Sequence, residues 1–302
     1  MKNTIEKALQ KKREQEKNDK TSSHQALVTN NKSQDALTEP SPSCEPVVSN
    51  GHFEKETFEL DLVRLEEKGH ISLTGSRTLI NEEFREIKRK LISNAFGPLS
   101  KTLNNSNIIM VTSGRPSEGK TFTATNLALS IASEQDKTVL LVDADVLKPN
   151  VLNTLGLKSK PGLMEYLTGD VADIAEVLYP SNVDKLKIVP AGKSHYLSTE
   201  LLASQKMLET IDEFSNRYPD RIVIIDSPPI IGITETAILA NFAGQAVVVV
   251  EEGKAKLNDV KNCIDRLNPQ MAIGFVVNKS VHTDEDGTGY YGYYGYAKDE
   301  RN

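Results

Sequence analysis

Cysteine is scarce in this chain of 302 residues: there are two, Cys44 and Cys263. The first sits in a Pro/Ser-rich stretch and the second in a predicted helix, and neither has metal-ligand spacing. A disulfide framework and a cysteine metal site are both excluded, and a reducing compartment is the expected setting. There is no apolar run of about 18 residues, so no membrane-spanning helix is expected. The opening MKNTIEKALQKKREQEK lacks the apolar core of a secretory signal. The expected location is cytoplasmic, with any membrane association made through another protein. Charge of one sign is not in large excess. The formal net charge is −6 with 26% charged residues, too mild an imbalance to indicate a nucleic-acid partner. No internal repeat is visible.

What is present divides into three parts. Residues 1–59 begin with a short charged helical pattern, Ile5 to Lys17, either a solvated helix or a docking helix for a partner. They continue through a Ser/Thr/Asn/Pro-rich stretch with too little apolar surface to offset its ordering entropy. Residues 60–280 read as one folded domain. LDLVRLEEK predicts a helix ended by Gly69, and NEEFREIKRKLISNAF predicts a second with Asn81 as its cap. Six short β-branched runs follow: NIIMVTS, TVLLVDAD, LKIVPAG, RIVIIDSPP, QAVVVVEE and AIGFVVNK. They alternate with amphipathic stretches such as TELLASQKMLETIDEFSNRY. Continuous apolar strands alternating with helices predict an α/β fold, a mostly parallel sheet covered by helices on both faces. Residues 281–302 form a polar, glycine-punctuated tail.

The first run is followed by Gly114, Arg115, Pro116, Ser117, Glu118, Gly119, Lys120 and Thr121, which fits G-x-x-x-x-G-K-[ST]. Its place between a strand and a helix is the context that gives the motif meaning, and it makes the domain a P-loop NTPase. Inward-pointing backbone N–H groups cradle phosphate oxygens, and the helix opening near Lys120 adds its positive end. Lys120 is expected to reach the β- and γ-phosphates of ATP, and Thr121 to ligate Mg²⁺. Phe122 completes the expected nucleotide-binding segment.

A magnesium–nucleotide site also needs carboxylates at strand ends. VDADVLKP places Asp143 and Asp145 two apart, on one face while the chain stays extended. RIVIID ends at Asp226. One acid at such a position is often just a helix cap. Three converging beside a phosphate loop point instead to a catalytic centre.

The tail reads GYYGYYGYAKDERN. Five of the nine tyrosines are Tyr290, Tyr291, Tyr293, Tyr294 and Tyr296. Gly292 and Gly295 between them make a packed helix or strand a poor explanation. On its own the segment reads equally as a low-complexity adhesive tail.

In combination, the loop, VDADVLKP and VIIDSPP resemble the bacterial tyrosine kinases of exopolysaccharide and capsule synthesis. These are P-loop ATPases related to septum-site and plasmid-partition ATPases. TIEKAL and EEFREIKRKL look like the exosortase-associated branch. The resemblance covers about residues 81–279 and the tail. It implies an autokinase that transfers phosphate from ATP to its tail tyrosines, in a neighbouring subunit. It implies Asp143 as the base, although the residues alone do not rank Asp143 against Asp145, with Asp145 and Asp226 on Mg²⁺. It implies Asn278, in VVNK, as a contact to adenine, where a strand-end turn is the plainer role. It also implies a homo-oligomer, a transmembrane chain-length regulator as activator and a phosphotyrosine phosphatase.

Two departures stand out. Partition ATPases carry a signature lysine where this chain has Arg115. The E-x-x-R-x-x-R helix that joins kinase subunits into a ring is here Glu82, Arg85 and Lys88, with Arg89 following. The same residues on a solvated helix face would merely pair with one another. The alternative reading is an ATP-driven switch without kinase activity, of the septum-site and partition type, for which a tyrosine cluster has no use.

Overall fold

The structure, a computed structural model, describes residues 56–74 and 78–280. All six apolar runs form strands: β1 Ile108–Ser113, β2 Thr138–Asp143, β4 Leu186–Val189, β5 Arg221–Asp226, β6 Gln245–Glu251 and β7 Ala272–Asn278. A seventh, β3, is the two-residue Tyr179–Pro180. The sheet order is β3-β4-β2-β5-β1-β6-β7, parallel throughout except for β3, which runs antiparallel to β4. No sequence signal marks β3, because a pair of residues containing proline has no periodicity to read.

Alternation along β1, next to the middle strand of the sheet, divides the core in two. Ile108 and Met110 of β1 join the cluster that contains Met207, Ile211 and Phe214. Ile109 and Val111 join the cluster that contains Leu127, Ile131, Phe84 and Leu91. Helices therefore cover both faces, as expected for strands that are apolar on both sides. The edge strand β7 departs from this pattern: Phe275 and Val277 are 43% and 60% exposed.

The chain enters the sheet before residue 60. Phe58 is buried, donates its backbone N–H to Pro180 and forms an isolated bridge with Ser181. Helix α1, Leu62–Glu67, is capped by Asp61, and Gly69 beyond it takes φ +82°, the left-handed value at which glycine ends helices. Helix α2, Leu79–Phe96, starts earlier than predicted. Its cap is Thr78, whose side chain accepts from the N–H of Asn81. Asn81 lies inside the helix and ties it to Ser72 through that residue's N–H and carbonyl. Helix α3, Lys120–Ala132, follows β1 directly. Helices α4 (Val151–Thr154) and α5 (Leu163–Thr168) come after β2. The long amphipathic stretch after β4 divides into α6, Ser198–Leu202, and α7, Gln205–Asn216. Ser204 interrupts it by capping Met207, a local bond that competes with helix continuation. Helices α8, Thr234–Ala240, and α9, Leu257–Ile264, complete the domain. No helix among the described residues is long and apolar enough to cross a membrane.

Candidate active site

Strand register builds the site. Asp143 at the end of β2 pairs with Asp226 at the end of β5, and Asp226 in turn pairs with Val111 of β1. Two carboxylates and the start of the phosphate loop are thus set side by side by the hydrogen-bonding pattern of three parallel strands. Asp143, Asp145 and Asp226 are all almost fully buried.

The loop is held open from several sides. Ser117 and Gly119 take positive φ, +69° and +102°. A Cβ at Gly119 would lie 1.9 Å from Asn278 Nδ2, and one at Gly114 would lie 3.2 Å from Cys263 Sγ. Asn278 Nδ2 donates to the Glu118 carbonyl at 2.8 Å, and Lys279 Nζ donates to the Ser117 carbonyl at 2.7 Å. The Arg115 N–H donates to Glu118 Oε2, while the Arg115 guanidinium grips Asp259 of α9 through Nε at 2.8 Å and Nη2 at 3.2 Å. Helix geometry leaves the N–H groups of Lys120, Thr121 and Phe122 without intrahelical acceptors. The Phe122 ring packs against His70 and Phe84, so its side chain belongs to the core.

Lys120 Nζ donates to Asp145 Oδ2 at 2.6 Å and lies 4.0 Å from Asp226 Oδ1. Burial alone would lower its pKa, but the charges of Asp226 and Asp145 outweigh burial and raise it. Thr121 Oγ1 donates to Asp226 Oδ2 at 2.7 Å. Asp226 Oδ1 is buried and has no hydrogen-bond partner among the described residues. Burial raises the Asp226 pKa, opposed by Lys120 and by the Thr121 hydroxyl. Burial also raises that of Asp143, with the Asp226 charge adding to it.

Asp143 has a second job. Its Oδ2 accepts from the N–H groups of Asn150 and Val151, and its Oδ1 from that of Asp145. It therefore fixes the turn into α4 as well as facing the site. Beside it opens a cavity of about 190 Å³ whose walls include Pro149, Leu152, Lys160, Pro190 and Gly192. Pro190 and Gly192 arrive from the end of β4, and no site motif in the sequence marks them.

These residues suit magnesium nucleotide. No group of three or more His, Cys, Asp or Glu side chains among the described residues makes a metal cage by itself. That fits Mg²⁺, which keeps waters and shares phosphate oxygens with one or two protein ligands. Thr121 Oγ1 and Asp226 Oδ1 are oxygens that could serve it, with Asp145 alongside.

The expected subunit-contact residues are not all on one surface. Glu82 and Arg85 pair with each other on the outer side of α2, and Arg89 is exposed. Lys88 is 4% exposed, donates to the Ser130 carbonyl at 3.0 Å and pairs with Glu134 at 2.6 Å. Lys88 lines a cavity together with Arg85 and Ser130, but its ammonium is engaged by the Ser130 carbonyl and Glu134, so its charge serves the end of α3. The five tail tyrosines, the Ile5–Lys17 segment and Cys44 lie outside the described residues.

Residues 106–273 match the family model described as an AAA domain. The chain is 33% identical over 191 residues to tyrosine-protein kinase wzc of Salmonella typhimurium, covering 63% of this chain and 26% of that protein. It is 30% identical over 224 residues to tyrosine-protein kinase YwqD of Bacillus subtilis, covering 74% of this chain and 90% of that protein. Among solved structures, the VpsO kinase domain superposes with a TM-score of 0.54 at 27% identity, covering 66% of this chain and 97% of that one. The chain thus spans about a quarter of the wzc relative and nearly all of YwqD.

Proposed function

The chain belongs to the bacterial tyrosine-kinase family of P-loop ATPases, and from that premise we propose that it is an ATP-dependent autokinase acting on its own C-terminal tyrosines. The acceptors are Tyr290, Tyr291, Tyr293, Tyr294 and Tyr296, presented to a neighbouring subunit. The observation that carries this reading is the convergence of Lys120, Thr121, Asp143, Asp145 and Asp226 at the joined ends of β1, β2 and β5.

Each residue has a part. The loop amides and Lys120 hold the phosphates and stabilise the negative charge that spreads as the phosphoryl group moves. Bound Mg²⁺ would neutralise charge on the β- and γ-phosphates. Thr121 and Asp226, with Asp145, orient that end of the site. A tyrosine hydroxyl, of ordinary pKa about 10, must lose its proton on transfer. Asp143 takes it. Burial and the Asp226 charge raise its pKa to about 8, nearer to that of the phenol than an ordinary aspartate, so its ionised form is a stronger base and gains in population as pH rises toward 8. The cavity beside Asp143 is where the acceptor ring enters. Asn278, against the loop backbone, borders the adenine end.

The kinase works in the cytoplasm as a homo-oligomer, with Glu82, Arg85 and Arg89 at the subunit contact. It docks on a transmembrane chain-length regulator, is reversed by a phosphatase, and paces exopolysaccharide polymerisation and export. Phosphate mapping by mass spectrometry on the purified chain, after Mg-ATP is added, tests the central claim. Tail phosphotyrosine that disappears in Lys120→Met is expected. ATP hydrolysis with no phosphotyrosine anywhere would overturn it in favour of a nucleotide switch.

A further inference from the structure

Four tyrosines lie in the described residues, and three are engaged. Tyr166 has the Lys206 ammonium 4.1 Å from its ring centre. Tyr179 stacks on Phe58 and donates its hydroxyl to the Pro161 carbonyl. Tyr218 is covered by the guanidinium of Arg221 at 4.0 Å. Tyr196 is different: it is 86% exposed, and among the described residues its hydroxyl has no hydrogen-bond partner.

Its placement ties it to the active site. Tyr196 sits on the loop between β4 and α6, at the edge of the sheet where the parallel strands end. That loop begins with Pro190, Ala191 and Gly192, which line the cavity they share with Asp143. Tyr196 lies four positions after Gly192, a reach of at most roughly 14 Å. The loop is also shaped. The Leu197 N–H donates to His195 Nδ1, the Ser198 N–H donates to the His195 carbonyl, and the His195 and Tyr196 rings lie 4.5 Å apart. The phenol is therefore presented outward, not packed away. Its flanks carry Lys193 and His195, where the tail carries Asp284, Glu285 and Asp286. A basic flank is attracted to a site built around Asp143, Asp145 and Asp226, from which an acidic segment is repelled.

We propose that Tyr196 is a sixth phosphate acceptor, modified by the same active site that serves the tail. This rests on the kinase reading above. The Tyr196 oxygen bonds to the γ-phosphorus of ATP, and the bond from that phosphorus to the bridging oxygen breaks. ADP leaves with the electron pair, and the phenol proton passes to the Asp143 carboxylate. The product carries about −1.5 to −2 charges on the loop that leads out of the Asp143 cavity. There it opposes entry of the acidic tail and slows further tail phosphorylation.

Full-length protein is incubated with Mg-ATP in four forms: wild type, the five tail tyrosines changed to Phe, the same with Tyr196→Phe added, and Lys120→Met. Phosphorylated peptides are then sequenced by mass spectrometry. The five-Phe form is expected to keep phosphotyrosine confined to Tyr196, the six-Phe form to lose it, and Lys120→Met to carry none. The single variant Tyr196→Phe is expected to fold and to phosphorylate its tail at an undiminished or higher rate. A labelled wild-type tail with no phosphate on Tyr196 in any form overturns this proposal and leaves the kinase reading standing. Phosphate on Tyr166, Tyr179 or Tyr218 in the five-Phe form, in place of Tyr196, also overturns it. Wild type without any phosphotyrosine overturns both.

Discussion

Lys120 Nζ and Asp145 Oδ2 are 2.6 Å apart, and both side chains are almost fully buried. A carboxylate holds Lys120, so this lysine is counter-ion to the acid cluster as well as the proposed ligand to nucleotide. Lys120→Met therefore has two consequences. Phosphoryl transfer is expected to fall by at least about 10²-fold through loss of charge stabilisation. Asp226, whose pKa Lys120 holds down, then titrates still higher. The folded state binds more protons than the unfolded one between the two pKa values, so the variant gains stability as pH falls through that window. Thermal melts of wild type and variant across pH 8 to 5.5 read this directly. Parallel curves would show that the lysine does not govern the Asp226 proton.

Asp143→Asn separates the base from the helix anchor. The asparagine has one acceptor oxygen where the carboxylate has two, so the N–H groups of Asn150 and Val151 and that of Asp145 cannot all be served. Transfer is expected to drop about 10²–10⁴-fold, the range for a lost general base, while nucleotide affinity changes little. The amides left unserved should also exchange hydrogen faster. Unchanged exchange with lost turnover would leave only the chemical role.

Gly119→Ala should abolish nucleotide binding for two separable reasons. The new methyl would meet Asn278 Nδ2 at 1.9 Å, and φ +102° is strained for any residue with a Cβ. Adding Asn278→Ala removes the collision but not the strain, which costs about 1–2 kcal/mol. Calorimetric titration with nucleotide should show partial recovery in the double variant. No recovery at all would mean that backbone strain alone closes the loop.

Much of this architecture was legible in the residues. The six strands announced themselves as β-branched runs, and Gly114 to Thr121 named the loop. Both depend on local pattern, which short-range sterics enforce. The joining of Asp143 to Asp226 was inferred from strand ends, and the sheet register supplies it. What stayed hidden was non-local. Nothing near Lys88 in the chain announces that its partner is Ser130, forty-two residues on. Asn81 looked like a cap because asparagine favours caps, and tertiary bonds to Ser72 claimed it instead. Strand β3 exists because β4 has a free edge, which no property of Tyr179–Pro180 reveals.

Lys88 and Arg85 should behave oppositely. Lys88→Met keeps the buried stem but removes one of two donors to the Ser130 carbonyl, the Ser133 hydroxyl remaining, together with the Glu134 ion pair, at a cost of about 0.5–1.5 kcal/mol. Arg85→Ala on the outer face should cost about 1 kcal/mol or less. If the outer face is the subunit contact, Arg85→Ala with Arg89→Ala lowers the mass seen by light scattering, whereas Lys88→Met lowers the denaturation midpoint. A mass shift from Lys88→Met at full stability would place that lysine at the interface after all.

His70 is 4% exposed, stacks on Phe122 at 4.9 Å between ring centres and has no hydrogen-bond partner for Nδ1 among the described residues. Burial, with Lys68 nearby, lowers its pKa below the ordinary 6.5. The neutral ring is thus the folded form. Its contribution to stability is complete above about pH 6.5 and is lost as pH falls through the lowered folded pKa, because the unfolded chain takes up the proton first. His70 also touches the opening helix of the phosphate loop through Thr125 Oγ1, 3.4 Å from Nε2. Acidification should therefore loosen nucleotide binding together with the fold. His70→Phe keeps the ring contact, removes the orphaned nitrogen and cannot be protonated. Its unfolding free energy should fall less steeply than that of wild type between pH 7 and pH 5. Equal slopes would mean that the pH dependence in that range comes from the carboxylates, with Asp143 and Asp226 the first to examine.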